Sequence, residues 1–141
     1  MLALKLGLSL VSNRKLGSWS PTDEASLEAW YKNGVGITLN GSDVSQWADS
    51  SSNSRNMVQA TATEQPSYSG GTLTFVSADS NSLQTTSQMS LTGDFTLGLR
   101  MNTSTTNGAF IGDNTSANEY FKYSASNKIS FKIGGSVTTH V

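Results

Sequence analysis

The chain of 141 residues has no cysteine, one histidine and two prolines, and only 13% of it is charged. Without cysteine there is neither a disulfide framework nor a thiolate metal site. Zinc-type sites need several His or Cys ligands, and the single His140 cannot supply them. A Ser-His-Asp arrangement needs an imidazole held by a buried carboxylate, and His140 reads instead as a solvated tail residue. The formal net charge is −1, with no basic cluster to neutralise a run of phosphates, so nucleic-acid binding is not expected. The chain also lacks the run of about 20 apolar residues that a membrane-spanning helix requires. Nor does it have the continuous apolar core and small-residue cleavage site of a signal peptide. No membrane partner is expected.

What is present is hydroxyl and glycine. Ser and Thr together number 40 and Gly adds 13, a composition that suits β-structure with many polar turns. Interspersed Trp, Phe, Ile and Val argue against disorder. The length is one domain's worth. At the amino terminus Leu2, Leu4, Leu6, Leu8 and Leu10 alternate with Ala3, Lys5, Gly7 and Ser9. Period-two alternation puts the five leucines on one face of an extended strand. That strand either joins the domain's own sheet or acts as an arm that adds to a neighbouring subunit. Asn13–Ser18 forms a hinge before Trp19, so residues 1–20 are taken as arm and hinge and 21–141 as the folded domain.

One short helix is predicted, over Thr22–Ser26, with Ser20 as cap, Pro21 in the first position, and Asp23 and Glu24 favouring the positive helix end. The rest reads as strands: Leu27–Tyr31, Ile37–Leu39, Val44–Trp47, Met57–Gln59, Leu73–Val76, Phe95–Met101, Ala109–Gly112, Tyr120–Tyr123 and Lys128–Ile133, with a further unfinished strand at Ser136–Thr139. In Phe95–Met101 and Lys128–Ile133 apolar and polar residues alternate, the mark of antiparallel strands packed on one side. Trp30, Trp47, Phe75, Phe95 and Phe131 are the expected core aromatics.

The segment from Leu27 to Tyr68 carries Trp30-Tyr31, a Gly-containing loop, Val44-x-x-Trp47-x-Asp49-x-Ser51, then Gln59-Ala60 and Gln65-Pro66-Ser67-Tyr68. In order and spacing it resembles the opening of the concanavalin A-like (laminin G-like) jelly-roll domains of bacteriophage virion structural proteins, of the cyanophage type. The resemblance covers Leu27 to about Ile133. It implies an all-β, antiparallel jelly-roll sandwich, with the last strands of that fold not visible in the sequence and an extended N-terminal arm. It also implies a virion location, with other virion proteins and further copies of the chain as partners, in a capsid-decoration, baseplate, tail or fibre role.

Sandwich glucanases of similar fold carry an alternating E-x-D-x-x-E run. Here Asp94, Asp113 and Glu119 stand isolated, so glycoside hydrolysis, which needs paired carboxylates, is not expected. The resemblance makes calcium the one candidate ion, with Asp43, Asp49 and Asn53 as oxygen donors. Calcium takes about six to eight oxygens, a denser set than this, and the competing role is for Asp49 and Ser50 to fix the turn after Trp47 by bonding nearby amides. No other cofactor is expected. Trp19 either packs on its own sheet or anchors an interface together with the leucine row. A second functional reading is an adhesin module for a host-surface glycan, using Asn40, Asp43, Asp113, Asn114 and Asn118 in sandwich-edge loops.

Overall fold

The computed structural model describes residues 18–89, 94–103, 108–112, 120–124, 128–133 and 136–140. The leucine row Leu2–Leu10 and the loop residues Asp113, Asn114, Glu119 and Asn118 lie outside them. Among the described residues the protein is all-β with antiparallel pairing, and its only helical turns are short 3-10 turns.

The first sheet is built around β2. Strands β1 (Ile37–Asn40) and β2 (Asp43–Trp47) form a hairpin across Gly41-Ser42, where Gly41 has φ +67°. The register slips between Thr38 and Leu39, and the Ser45 hydroxyl there donates to the Thr38 carbonyl at 3.1 Å. The other edge of β2 is shared. β3 (Met57–Val58) pairs with its Gln46-Trp47 end, and β4 (Ser67–Ser69) meets Asp43 at the opposite end. β5 (Thr72–Thr74) joins β4 through Gly70-Gly71, both at positive φ as a tight two-residue hairpin turn requires. β6 (Gln84–Thr85) closes the far edge on β3.

Between β3 and β4 the chain leaves the edge for a 3-10 turn at Ala62–Glu64 and returns at Pro66, whose carbonyl accepts from the Val44 amide at 2.8 Å. The core of this sheet is small: Val44 and Pro66 are its fully buried large side chains. Gln65 is buried beside them and is satisfied. Its amide donates to the Gln59 carbonyl at 2.7 Å, and its oxygen accepts from Asn40 at 3.2 Å.

The second sheet is a four-stranded meander, β7 (Gly108–Gly112), β8 (Tyr120–Ser124), β9 (Lys128–Ile133) and β10 (Ser136–His140), paired in sequence order. Phe121 stands opposite Phe131, and Tyr123 opposite Ile129. Residues opposite one another share a face, so these four form an apolar face while Lys122 and Ser130 lie on the other. A register shift in β7 between Ala109 and Ile111 allows Phe110 to join the apolar face, 6.3 Å from the Phe121 ring.

The helix predicted at Thr22–Ser26 is instead a single 3-10 turn, Pro21–Asp23. Ser20 and Asp23 form a reciprocal cap, but Glu24 is already extended, and its carboxylate takes the Ser26 amide and hydroxyl in place of a further helical turn. Leu27–Tyr31 has no ladder, because its backbone groups bond to the loop after Trp47. Val76, predicted as the end of a strand, instead caps a 3-10 turn at Ser77–Asp79. Phe75, expected in the core, is 53% exposed. The strand β5 stops one residue before it, so no sheet neighbour covers the ring. Phe95–Met101 makes no ladder either, and Phe95 is only partly covered.

Candidate functional site

Two places hold the residues singled out by the sequence: the loop after β2 and the apolar face of the second sheet. The loop is organised by Asp49. One carboxylate oxygen accepts from the Trp30 amide at 2.8 Å and the Ser51 amide at 2.8 Å. The other accepts from the Ser51 hydroxyl at 2.6 Å and the Arg55 amide at 3.0 Å. Partial burial works against the charge, but these hydrogen bonds outweigh it and hold the carboxyl below its ordinary value.

Asn53 donates to the carbonyls of Leu27 at 2.7 Å and Glu28 at 3.1 Å, and Asn56 accepts the Asp49 amide. The Ser50 amide donates to the Trp30 carbonyl at 2.7 Å. Arg55 pairs with Glu28 and also donates to its carbonyl. Residues 27–31 are therefore bound to the loop by side chains and amides rather than by a strand partner. This is chemically a staple. Four protein donors bond the Asp49 carboxylate, two to each oxygen, and so fix the turn.

Asp43 opens β2, and its carboxylate accepts from the Ser42 hydroxyl at 3.3 Å. Among the described residues no three His, Asp or Glu side chains gather as an ion-binding group.

The aromatic residues around the loop also have structural partners. Tyr31 packs on Trp47 with ring centroids 5.7 Å apart, and its hydroxyl donates to the Arg55 carbonyl. Burial and the nearby Asp49 charge push the Tyr31 phenol up to about 12, with Arg55 opposing them. Trp47 donates from its indole nitrogen to the Lys32 carbonyl at 3.2 Å, and the Lys32 ammonium lies 5.5 Å over the Trp30 ring. Trp30 and Trp47 are half-buried, whereas Trp19 is 72% exposed. Asn40, proposed for a glycan loop, binds the buried Gln65. A polar hollow of about 250 Å³ lies between Thr22, Glu24, Leu27, Ser51, Ser52 and Asn53, a place the sequence did not single out because its two halves are far apart in the chain.

The second place is apolar. Phe121 contacts three other phenylalanines: Phe131 at 6.0 Å, Phe110 at 6.3 Å and Phe95 edge-on at 6.0 Å. Leu97, Leu99 and Met101 follow Phe95 at every second position and, with Phe110, Phe121, Ile129 and Phe131, line a hollow of about 380 Å³. The cover is partial, since Leu99 is 52% and Ile129 47% exposed.

No family model, curated protein or solved structure matches this chain.

Proposed function

We propose that the chain is a non-enzymatic structural subunit of a bacteriophage virion, a decoration, baseplate, tail or fibre component, built on a concanavalin A-like jelly-roll sandwich. It assembles with other virion proteins and with copies of itself by apolar burial and strand addition. The observation that carries this reading is the partly covered apolar hollow on the second sheet. Soluble chains seldom leave such a surface in water unless another surface meets it. The resemblance of Val44-x-x-Trp47-x-Asp49-x-Ser51 to the phage domains supports the virion part of the reading. The test is quantitative mass spectrometry of purified particles from the source. A fixed copy number per particle is expected, and absence from particles overturns the reading.

A second reading, a module that recognises a host-surface glycan, is favoured by the polar hollow between Thr22, Glu24, Ser51 and Asn53, whose carboxylate and hydroxyls suit sugar hydroxyls. Saturable binding on a glycan array, lost in Ser52→Trp, is the result this reading predicts. An array without a hit removes it.

A further inference from the structure

We infer that Phe95–Met101 is a vacant strand position that the leucine-rich segment Leu2–Leu10 of a second copy of this chain fills. The inference rests on the assembly reading and names its surface and its partner. Phe95–Met101 has the side-chain geometry of a strand without the hydrogen bonds of one. Phe95 meets Phe121 edge-on, and Leu97, Leu99 and Met101 all line the hollow, which is the period-two geometry of an extended chain. Yet residues 95–101 make no backbone hydrogen bond among the described residues. Among the described residues neither backbone edge has a ladder partner, and an open edge over an apolar face is a template for an incoming strand.

Leu2–Leu10 matches that template. Its leucines recur with the same period as Phe95, Leu97, Leu99 and Met101, and Lys5, Gly7 and Ser9 recur with that of Thr96, Gly98 and Arg100. Pairing the two puts one leucine row beside the other over the hollow and the polar residues toward water. A slip of one residue would put all the leucines in water, so the apolar face itself sets the register.

The length and charge of the remaining N-terminal residues agree with a second copy as the donor. Residues 11–17 can span about 23–25 Å when extended, enough to carry the leucines away from their own first sheet. Residues 1–17 hold three basic and no acidic side chains, whereas residues 18–89 hold seven acidic and two basic ones. The arm is therefore drawn to the first-sheet region of a neighbour as well as to its hollow.

The test uses the full chain and two variants of it. In Leu4→Glu/Leu6→Glu/Leu8→Glu the arm is disabled, and in Leu97→Asp/Leu99→Asp the acceptor is. By analytical ultracentrifugation the unaltered chain is expected to associate with rising concentration. Each variant alone should associate at least about a hundredfold more weakly, given three or two leucines no longer buried. Their mixture should regain association, because the arm of one meets the acceptor of the other. If the aspartate pair unfolds the chain by circular dichroism, Gly98→Pro takes its place, removing one backbone donor from the edge.

A monomeric unaltered chain, variants that associate like it, or a folded mixture that stays monomeric would each overturn the inference. A chain found at fixed copy number in particles but monomeric alone removes only this inference. Absence from particles removes the assembly reading beneath it.

Discussion

Residues 18–89 and the described residues of 94–140 are both antiparallel β-structure, but different forces hold them. The first region buries little: Val44 and Pro66 form its fully enclosed apolar centre. Its order comes from side chains that bond to backbone elsewhere in the chain: Asp49 to Trp30, Asn53 to Leu27, Gln59 to Ser82 and, more locally, Gln65 to Gln59. Every buried side-chain polar atom among the described residues has a partner. The second region is organised by ladders and by phenylalanines around Phe121, and its apolar face is left half-open. A polar staple satisfies itself within the chain, whereas an apolar face stays unsatisfied until something covers it. The first region is thus held by bonds within itself, and the second leaves an apolar face partly open.

This contrast can be broken by substitution, and the largest effect is expected at Asp49. Asp49→Ala leaves the amides of Trp30, Ser51 and Arg55 without their acceptor and should cost about 3–5 kcal/mol of stability. Urea unfolding followed by tryptophan fluorescence measures it. A cost below about 1 kcal/mol would mean that the staple is ornamental. Gly36 comes next. It has φ +70°, and a Cβ there would lie 2.7 Å from the Ala48 Cβ. Gly36→Ala should therefore cost about 2–4 kcal/mol through left-handed strain and overpacking.

A smaller effect is expected from pH. Because the Asp49 carboxyl is held below its ordinary value of 3.8, its contribution to stability is present above that pH. It is lost as the pH falls through the lowered folded-state value. Asp49→Asn should flatten the acid limb of the stability profile and leave the neutral-to-alkaline part parallel to the unaltered chain. At the other end, the Tyr31 phenol is raised from 10.0 to about 12. Its neutral form therefore stabilises the fold fully below pH 10.0, and the contribution fades as the pH rises through about 12. Tyr31→Phe should remove that alkaline loss. The smallest effect belongs to the second region. Leu97→Ser/Leu99→Ser removes side chains already about half in water, and by thermal unfolding should change stability by less than about 1 kcal/mol. A large loss would show that the hollow is core, not interface.

Legibility in the sequence followed the same division. Lys128–Ile133 alternates apolar and polar residues, and its strand has the bounds the alternation predicts. β1, β2 and β7 differ from their predicted bounds by a residue at one end, because apolar periodicity marks where a strand is but hydrogen bonding ends it. The strands Ser67–Ser69 and Gln84–Thr85 were not predicted, since such short, polar segments carry no period to read. Leu27–Tyr31 looks like a strand by composition, yet the partners of its backbone are Asp49, Asn53 and Ser50, which no local pattern reveals. The turn-fixing bonds of Asp49 are one of two readings the motif allows, and they run to Trp30, Ser51 and Arg55, partners that no local pattern names. Phe95–Met101 has the alternation of a strand, but among the described residues it is in no ladder.

Hydrogen exchange of the full chain at low and high concentration tests this division most directly. In dilute solution the amides of Trp30, Ser51 and Arg55 should be protected and those of Phe95–Met101 should exchange freely. On association, protection should spread to Phe95–Met101 and leave the first set unchanged. Amides 95–101 already protected in the dilute chain, or still open in the associated one, would contradict the account.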